Sequence, residues 1–214
     1  MQNTSNPVYD YRAKIIVLGS TNIGKTAMIK GYCTNQYSQG PENATIGIDF
    51  QMKKVVVNEK VIRLQIWDSA GVLDIDRHRK VTFSYFKGVN GVILAYSILE
   101  RDTFLYLERI LKALEDEGFG EIPKILVGTG IELDEYDPSK EDQELRRVVS
   151  YDEAEEFAEK NGMLYFEVSP RNGKNIQQPF EGLVEILVEE WESKKKAKYF
   201  KRIFHASKSR KCRG

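Results

Sequence analysis

Gly19-Ser20-Thr21-Asn22-Ile23-Gly24-Lys25-Thr26 is the stretch that decides the fold. A short apolar run, Lys14-Ile15-Ile16-Val17-Leu18, precedes it and reads as a buried parallel strand. A helical pattern follows from Lys25 to Asn35. Strand, glycine-framed loop, Gly-Lys-Thr and helix together make the arrangement of a phosphate-binding loop. The glycines let the backbone curl until several N–H groups point at one anion. The helix start adds unpaired N–H groups and the positive end of its dipole. In this arrangement Lys25 reaches the β- and γ-phosphates, and the Thr26 hydroxyl sits on a magnesium ion. Gly19, Ser20, Thr21, Asn22, Ile23, Gly24, Lys25, Thr26 and Ala27 form the candidate phosphate-binding set.

The 214 residues suffice for one α/β domain with a sizeable core. Hydrophobic content of 41% and charge of 30% are those of an ordinary globular chain. No apolar run approaches the roughly 18–20 residues that cross a membrane, and the polar start, Met1 to Asn6, shows no secretory signal. The two cysteines, Cys33 and Cys212, lie far apart, which fits a reducing compartment rather than a disulfide framework. The zero net charge hides an asymmetry. From Ser193 onward there are ten Lys or Arg and no Asp or Glu, leaving 22 basic against 32 acidic residues before it. An acidic globule with a basic tail points to a negatively charged surface as the tail's partner.

Strand and helix patterns alternate along the chain. Tyr11–Leu18 is the first strand; Ile48–Val57 and Lys60–Trp67 read as a hairpin turning at Asn58-Glu59. The segment from Asp68 to Gly88 is polar, with helix only in its later part. Gly91–Tyr96 is a buried strand, and Asp102 to Glu117 is an amphipathic helix capped by Asp102. Lys124–Gly128 is a short strand, followed by a long acidic loop, Glu132 to Arg147. Ser150 to Glu153 is a capping box. Leu164–Val168 is the last strand, and Asn175 to Glu192 the last helix. The expected fold is a mostly parallel six-stranded α/β sheet with one antiparallel edge strand and helices on both faces. The domain should span residues 9–192, with residues 193–214 as a basic, flexible or amphipathic tail.

Tyr9-Asp10-Tyr11, the phosphate loop, Thr45-Ile46-Gly47-Ile48-Asp49-Phe50, Trp67-Asp68-Ser69-Ala70-Gly71 and Tyr85-Phe86-Lys87-Gly88 follow one another in a telling order. The sequence resembles the Ras superfamily of small GTPases, with the P-loop NTPase fold, and within it the Rab family. The Ile-Gly-Ile-Asp-Phe stretch favours Rab over its cousins. The resemblance implies a GTP/GDP switch that uses magnesium. Thr45 then resembles the switch I threonine, binding magnesium and the γ-phosphate. Asp68 resembles the aspartate that positions magnesium, and Gly71 the glycine through which switch II senses the third phosphate. Tyr37 stands where the family carries an aromatic packed on guanine. Ile46, Gly47, Ile48, Asp49, Phe50 and Trp67 correspond to the effector surface. Exchange factors, GTPase-activating proteins and effectors are the implied partners, on the cytoplasmic face of an endomembrane; nucleic acid is not expected.

This chain departs from the family at several positions. Where the family places a water-orienting glutamine, it has Val72, which can neither donate nor accept a hydrogen bond. Lys25, Thr45 and Gly71 remain as the catalytic candidates, but hydrolysis should be slow, because positioning is most of phosphoryl-transfer catalysis. Asp74, Asp76 or His78 could place a water instead, although a solvated charged loop is the simpler reading. The family's Asn-Lys-x-Asp appears as Thr129-Gly130-Ile131-Glu132, in which Glu132 keeps a carboxylate for guanine and Thr129 cannot bond both ways as an amide does. The family's Ser-Ala-Lys appears as Ser169-Pro170-Arg171, and Pro170 lacks the N–H that meets the guanine oxygen. These changes raise a second reading, a Rab-shaped pseudo-GTPase scaffold.

The tail sequence places Tyr199, Phe200, Ile203 and Phe204 on one helical face among basic residues, a membrane-surface pattern. Cys212, third from the end, is the lipidation candidate, although its context fits neither paired-cysteine endings nor C-a-a-X.

Overall fold

The computed structural model describes residues 9–37, 48–69, 83–131 and 146–211. Six strands form one sheet: β1 Tyr11–Leu18, β2 Ile48–Val57, β3 Lys60–Ser69, β4 Gly91–Ser97, β5 Lys124–Thr129 and β6 Leu164–Val168, in the order β2-β3-β1-β4-β5-β6. All neighbours are parallel except β2 with β3. That exception is the expected hairpin. Its turn residues Asn58 and Glu59 both have positive φ, 49° and 61°, the backbone of a type I′ turn whose twist matches the strands.

Among the described residues four helices cover the sheet: α1 Lys25–Thr34, α2 Arg101–Asp116, α3 Tyr151–Lys160 and α4 Gln177–Lys211. The run of apolar residues in β1 and β4 explains why helices are needed on both sides, since successive side chains point to opposite faces. Ile15 and Val17 join Met28, Phe180 and Leu183 under α1 and α4. Ile16 and Leu18 join Phe104, Leu107 and Ala154 under α2 and α3.

Three local expectations change. The α2 N-cap is Glu100, not Asp102. There Thr103 Oγ1 donates to Glu100 O at 2.6 Å and accepts from Ser97 N at 2.9 Å, so a threonine inside the first turn organises the helix start. At α3 the Ser150 hydroxyl accepts from Glu153 N at 3.2 Å, giving half of the capping box. The Glu153 carboxylate turns instead to Arg101, at 2.7 Å. Helix α4 does not stop near Glu192 but runs on to Lys211. No glycine or proline interrupts residues 193–211, which are mostly Lys, Arg and Ala, and Lys194 pairs with Glu190 one turn back at 2.7 Å. Tyr11 fixes the root of this extension: its ring packs at a tilt against Trp191, centroids 4.8 Å apart, and its hydroxyl donates to Glu192 at 2.5 Å.

A polar chain ties the far end of the sheet. Tyr165 Oη donates to Glu167 Oε1 at 2.5 Å and lies 2.7 Å from Tyr96 Oη. A phenol has one proton, so Tyr96 is the donor to Tyr165. Arg147 holds both Glu167 oxygens, at 2.7 and 2.9 Å. Burial raises both phenols above their ordinary pKa, which keeps them protonated as donors. Gly128 makes room for this chain, since a Cβ there would lie 3.0 Å from Tyr96 Oη and 3.1 Å from Tyr165 Oη. Gly128→Ala should therefore destabilise the protein by about 1–3 kcal/mol through overpacking, read as a lower midpoint in urea unfolding. An unchanged midpoint would show that the strand ends have slack.

Candidate functional site

The loop after β1 has the backbone its glycines imply. Gly19 has φ +147°, and a Cβ on it would lie 2.1 Å from the carbonyl oxygen of Ala95 in β4; no side chain fits. Asn22 at φ 60° and Gly24 at φ +85° are both left-handed. Such turns aim successive N–H groups into one concavity. Gly24 is also the α1 N-cap, with no side chain bonding the helix start. Lys25 folds over this loop, is 5% exposed, and donates to Ser20 O at 2.5 Å. Burial pulls its ammonium down to about 8, against the opposing pull of the Asp68 carboxylate.

Asp68 arrives from the neighbouring strand. The parallel register sets it beside Val17, one residue before the β1 end, and Ser69 Oγ locks the pair by donating to Val17 O at 2.7 Å. Thr26 Oγ1 then lies 2.5 Å from Asp68 Oδ2. A hydroxyl and a carboxylate brought to one point are hard oxygen donors of the kind magnesium takes. The donor set fits the ion expected from sequence, with Thr26 and Asp68 as its holders.

The positions expected from sequence to read the base lie on the other side of the loop. Thr129 ends β5, is 2% exposed, and its hydroxyl lies 2.7 Å from Ile23 O and 3.0 Å from Tyr96 O. Ser169 and Pro170 follow β6, and the Pro170 ring covers Gly24, whose Cβ would be 3.0 Å from Pro170 Cγ. The Tyr37 ring lies across Gly31 and Gly173, within 2.7 and 2.5 Å of where their Cβ atoms would be. Arg171 is exposed at the tip of the same loop. Asp68, Thr129 and Pro170 thus each touch the phosphate loop or the start of α1, and Tyr37 packs on Gly31 and Gly173 next to them, at the carboxyl ends of the strands. Thr45, Ile46, Gly47, Gly71, Val72, Asp74, Asp76, His78, Glu132 and Cys212 lie outside the described residues.

Of the surface candidates, Phe50 stacks on Trp67 at 5.3 Å and Asp49 is exposed beside it. Tyr85 extends the aromatic row, 6.1 Å from Trp67. Lys14 was not legible as part of this row. Its ammonium sits 4.2 Å from the Trp67 ring centroid and donates to the carbonyls of Tyr85 and Lys87.

Residues 14–189 match the Ras family. Ras-related protein Rab-30 of Homo sapiens is 35% identical over 182 residues, 85% of this chain and 83% of that protein. Ras-related protein Rab-11B of Dictyostelium discoideum is 34% identical over 179 residues, 84% of this chain and 75% of that protein. The chain belongs to the Rab family of small GTPases. Set within that family, the site has two unequal halves. Its phosphate and metal side carries the residue types the family resemblance calls for, whereas its base side replaces an amide with Thr129 and an N–H with Pro170.

A polyphosphate seated on the loop would hold Lys25 charged, whereas the free protein releases that proton above about 8. Binding above that pH must take up a proton, so affinity should fall roughly tenfold per pH unit between about 8 and 10. Titrations at several pH values, in buffers of different ionisation enthalpy, would show it. A flat profile with no proton uptake would place Lys25 away from the phosphates.

Proposed function

We propose that this Rab-family chain is a molecular switch in intracellular membrane traffic, cycling between GTP-bound and GDP-bound forms. The observation that carries the reading is the meeting of Thr26 and Asp68 at 2.5 Å beside a loop over which Lys25 is folded. Residues 19–27 cradle the phosphates through backbone N–H groups, and Lys25 supplies a charge whose desolvation makes it a strong phosphate partner. Thr26, Thr45 and Asp68 would hold magnesium, which would supply charge neutralisation to the phosphates. Gly71 reports the third phosphate to switch II. Ile46–Phe50 and Trp67 present the surface that effectors read, and Tyr85 and Lys14 adjoin Trp67. An exchange factor reloads the site, and an activating protein accelerates hydrolysis.

Hydrolysis by the chain alone is slow, because Val72 cannot orient a water. The tail carries ten basic residues, each worth roughly 1 kcal/mol beside an anionic leaflet. Its course as a continuation of α4 supports an amphipathic arm on the cytoplasmic face of an endomembrane. Among the described residues no helix is long and apolar enough to cross a membrane. The basic tail carries a peripheral attachment, with a lipid on Cys212 as the second signal that stable anchoring needs.

Single-turnover hydrolysis of preloaded GTP tests the enzymatic part. Val72→Gln should hydrolyse several-fold faster than the natural chain at unchanged GTP affinity. Equal rates would mean that position 72 does not face the attacking water.

A further inference from the structure

The geometry points to the open corner of the sheet at the hairpin end as a docking surface for an acidic, apolar segment of a partner protein, bound whichever nucleotide the chain holds. Register places this surface. Residues paired across neighbouring strands share a face, so Met52, Lys54 and Val56 of β2 lie on one face with Gln65, Arg63 and Val61 of β3. Arg12 and Lys14 of β1 continue it. Helices α2 and α3 cover the other end of this face, where Val92 and Leu94 join Phe104 and Ala154. At the hairpin end it is open: Met52 is 53% and Val56 68% exposed, and Arg12 and Lys54 are exposed beside them. Arg12 stands six residues before the end of β1 at Leu18, about 20 Å along the strand from the phosphate loop. The surface is therefore set apart from the nucleotide.

The charge of this corner opposes that of its domain. Before Ser193 the chain has 32 acidic against 22 basic residues, yet three cations, Arg12, Lys54 and Arg63, gather here. Among the described residues no carboxylate pairs with any of the three. Asp10, at the head of β1, accepts from Val61 N at 2.8 Å. One ring holds both guanidiniums: their Cζ atoms lie 4.9 and 6.0 Å from the Tyr9 centroid. Arg12 Nε donates to the Tyr9 hydroxyl at 2.6 Å, and Arg63 Nη2 lies 3.3 Å from Met52 Sδ. Each guanidinium keeps further N–H groups. Fixed in this way, it meets a carboxylate with little conformational freedom left to lose. Met52 and Val56, on either side of Lys54, offer the apolar contact. The occupant is thus a segment with carboxylates for the cations and aliphatic or aromatic side chains for Met52 and Val56. Pairing with a second copy is opposed, because a two-fold contact sets the same face on both subunits and brings cations against cations.

The test is selection of a displayed library of random peptides on the full chain, followed by titration of the enriched peptides with GDP, with a non-hydrolysable GTP analogue and with neither. The expected peptides carry net negative charge together with aliphatic or aromatic residues. Their affinity should be the same in all three states and should fall with added salt. It should also drop roughly tenfold in Lys54→Glu and in Val56→Asp, since reversed or buried charge opposes an acidic partner. Both positions are exposed, and thermal unfolding of each variant checks that it folds. Enriched peptides that are neutral or basic, no enrichment, binding in the GTP state alone, or binding indifferent to both substitutions would each overturn the inference and leave the switch standing. So would loss in Lys54→Glu of a dimer seen by sedimentation, which would give the face to a second copy. Loss of binding to phosphatidylserine vesicles in that variant, with no peptide selected, would give it to a membrane and overturn the inference too.

Discussion

The parallel pairing of β1 with β3 is the constraint on which the site depends. It sets Val17 against Asp68, so that the chain leaving β1 curls over a carboxylate that arrives from another part of the sequence. The pairing is held by a buried ladder and by the Ser69 hydroxyl on Val17 O. A slip of one residue would turn Asp68 to the opposite face of the sheet. Thr26 would then face an apolar strand, and Lys25 would lose the charge that partly offsets its burial. Phosphate loop, magnesium donors and lysine are therefore one consequence of register rather than three separate features.

The same logic explains the unequal halves of the crevice. On the phosphate side, function and packing ask for the same residues. Gly19 is required by Ala95 and Gly24 by Pro170, so the loop that would cradle phosphate is also the only loop that fits the sheet. On the base side Thr129 ties β5 to the phosphate loop through Ile23 O, and Pro170 packs the loop after β6 against Gly24.

Much of this was legible in sequence where the signal is local. Strands β1, β2 and β6 fall within their expected bounds, because apolar runs and a two-residue turn are short-range patterns. Lys25, Thr26 and Asp68 were legible through motif and order. What was not legible depends on partners far apart in the chain: Thr129 to Ile23, Arg147 to Glu167 and Tyr11 to Glu192 join residues 106, 20 and 181 positions apart. Periodicity says nothing about such pairs. Gly128, a glycine within an apolar strand, was the one sequence hint of the Tyr96–Tyr165 chain. The Asp102 cap failed because a threonine one position later could bond backward to Glu100 and Ser97 at once. The helical pattern expected of the tail joins the last helix without a stop at Glu192, because a change from acidic to basic composition does not end a helix.

Magnesium linkage probes the central claim most directly: that Thr26 and Asp68 are set together to hold a metal on bound phosphates. The nucleotide-free chain would be titrated with GDP in the presence of magnesium and again with excess EDTA, alongside Asp68→Asn. The account predicts tight binding that weakens by orders of magnitude without the metal, and a variant that binds weakly with or without it. Affinity indifferent to magnesium, or unchanged in Asp68→Asn, would contradict it.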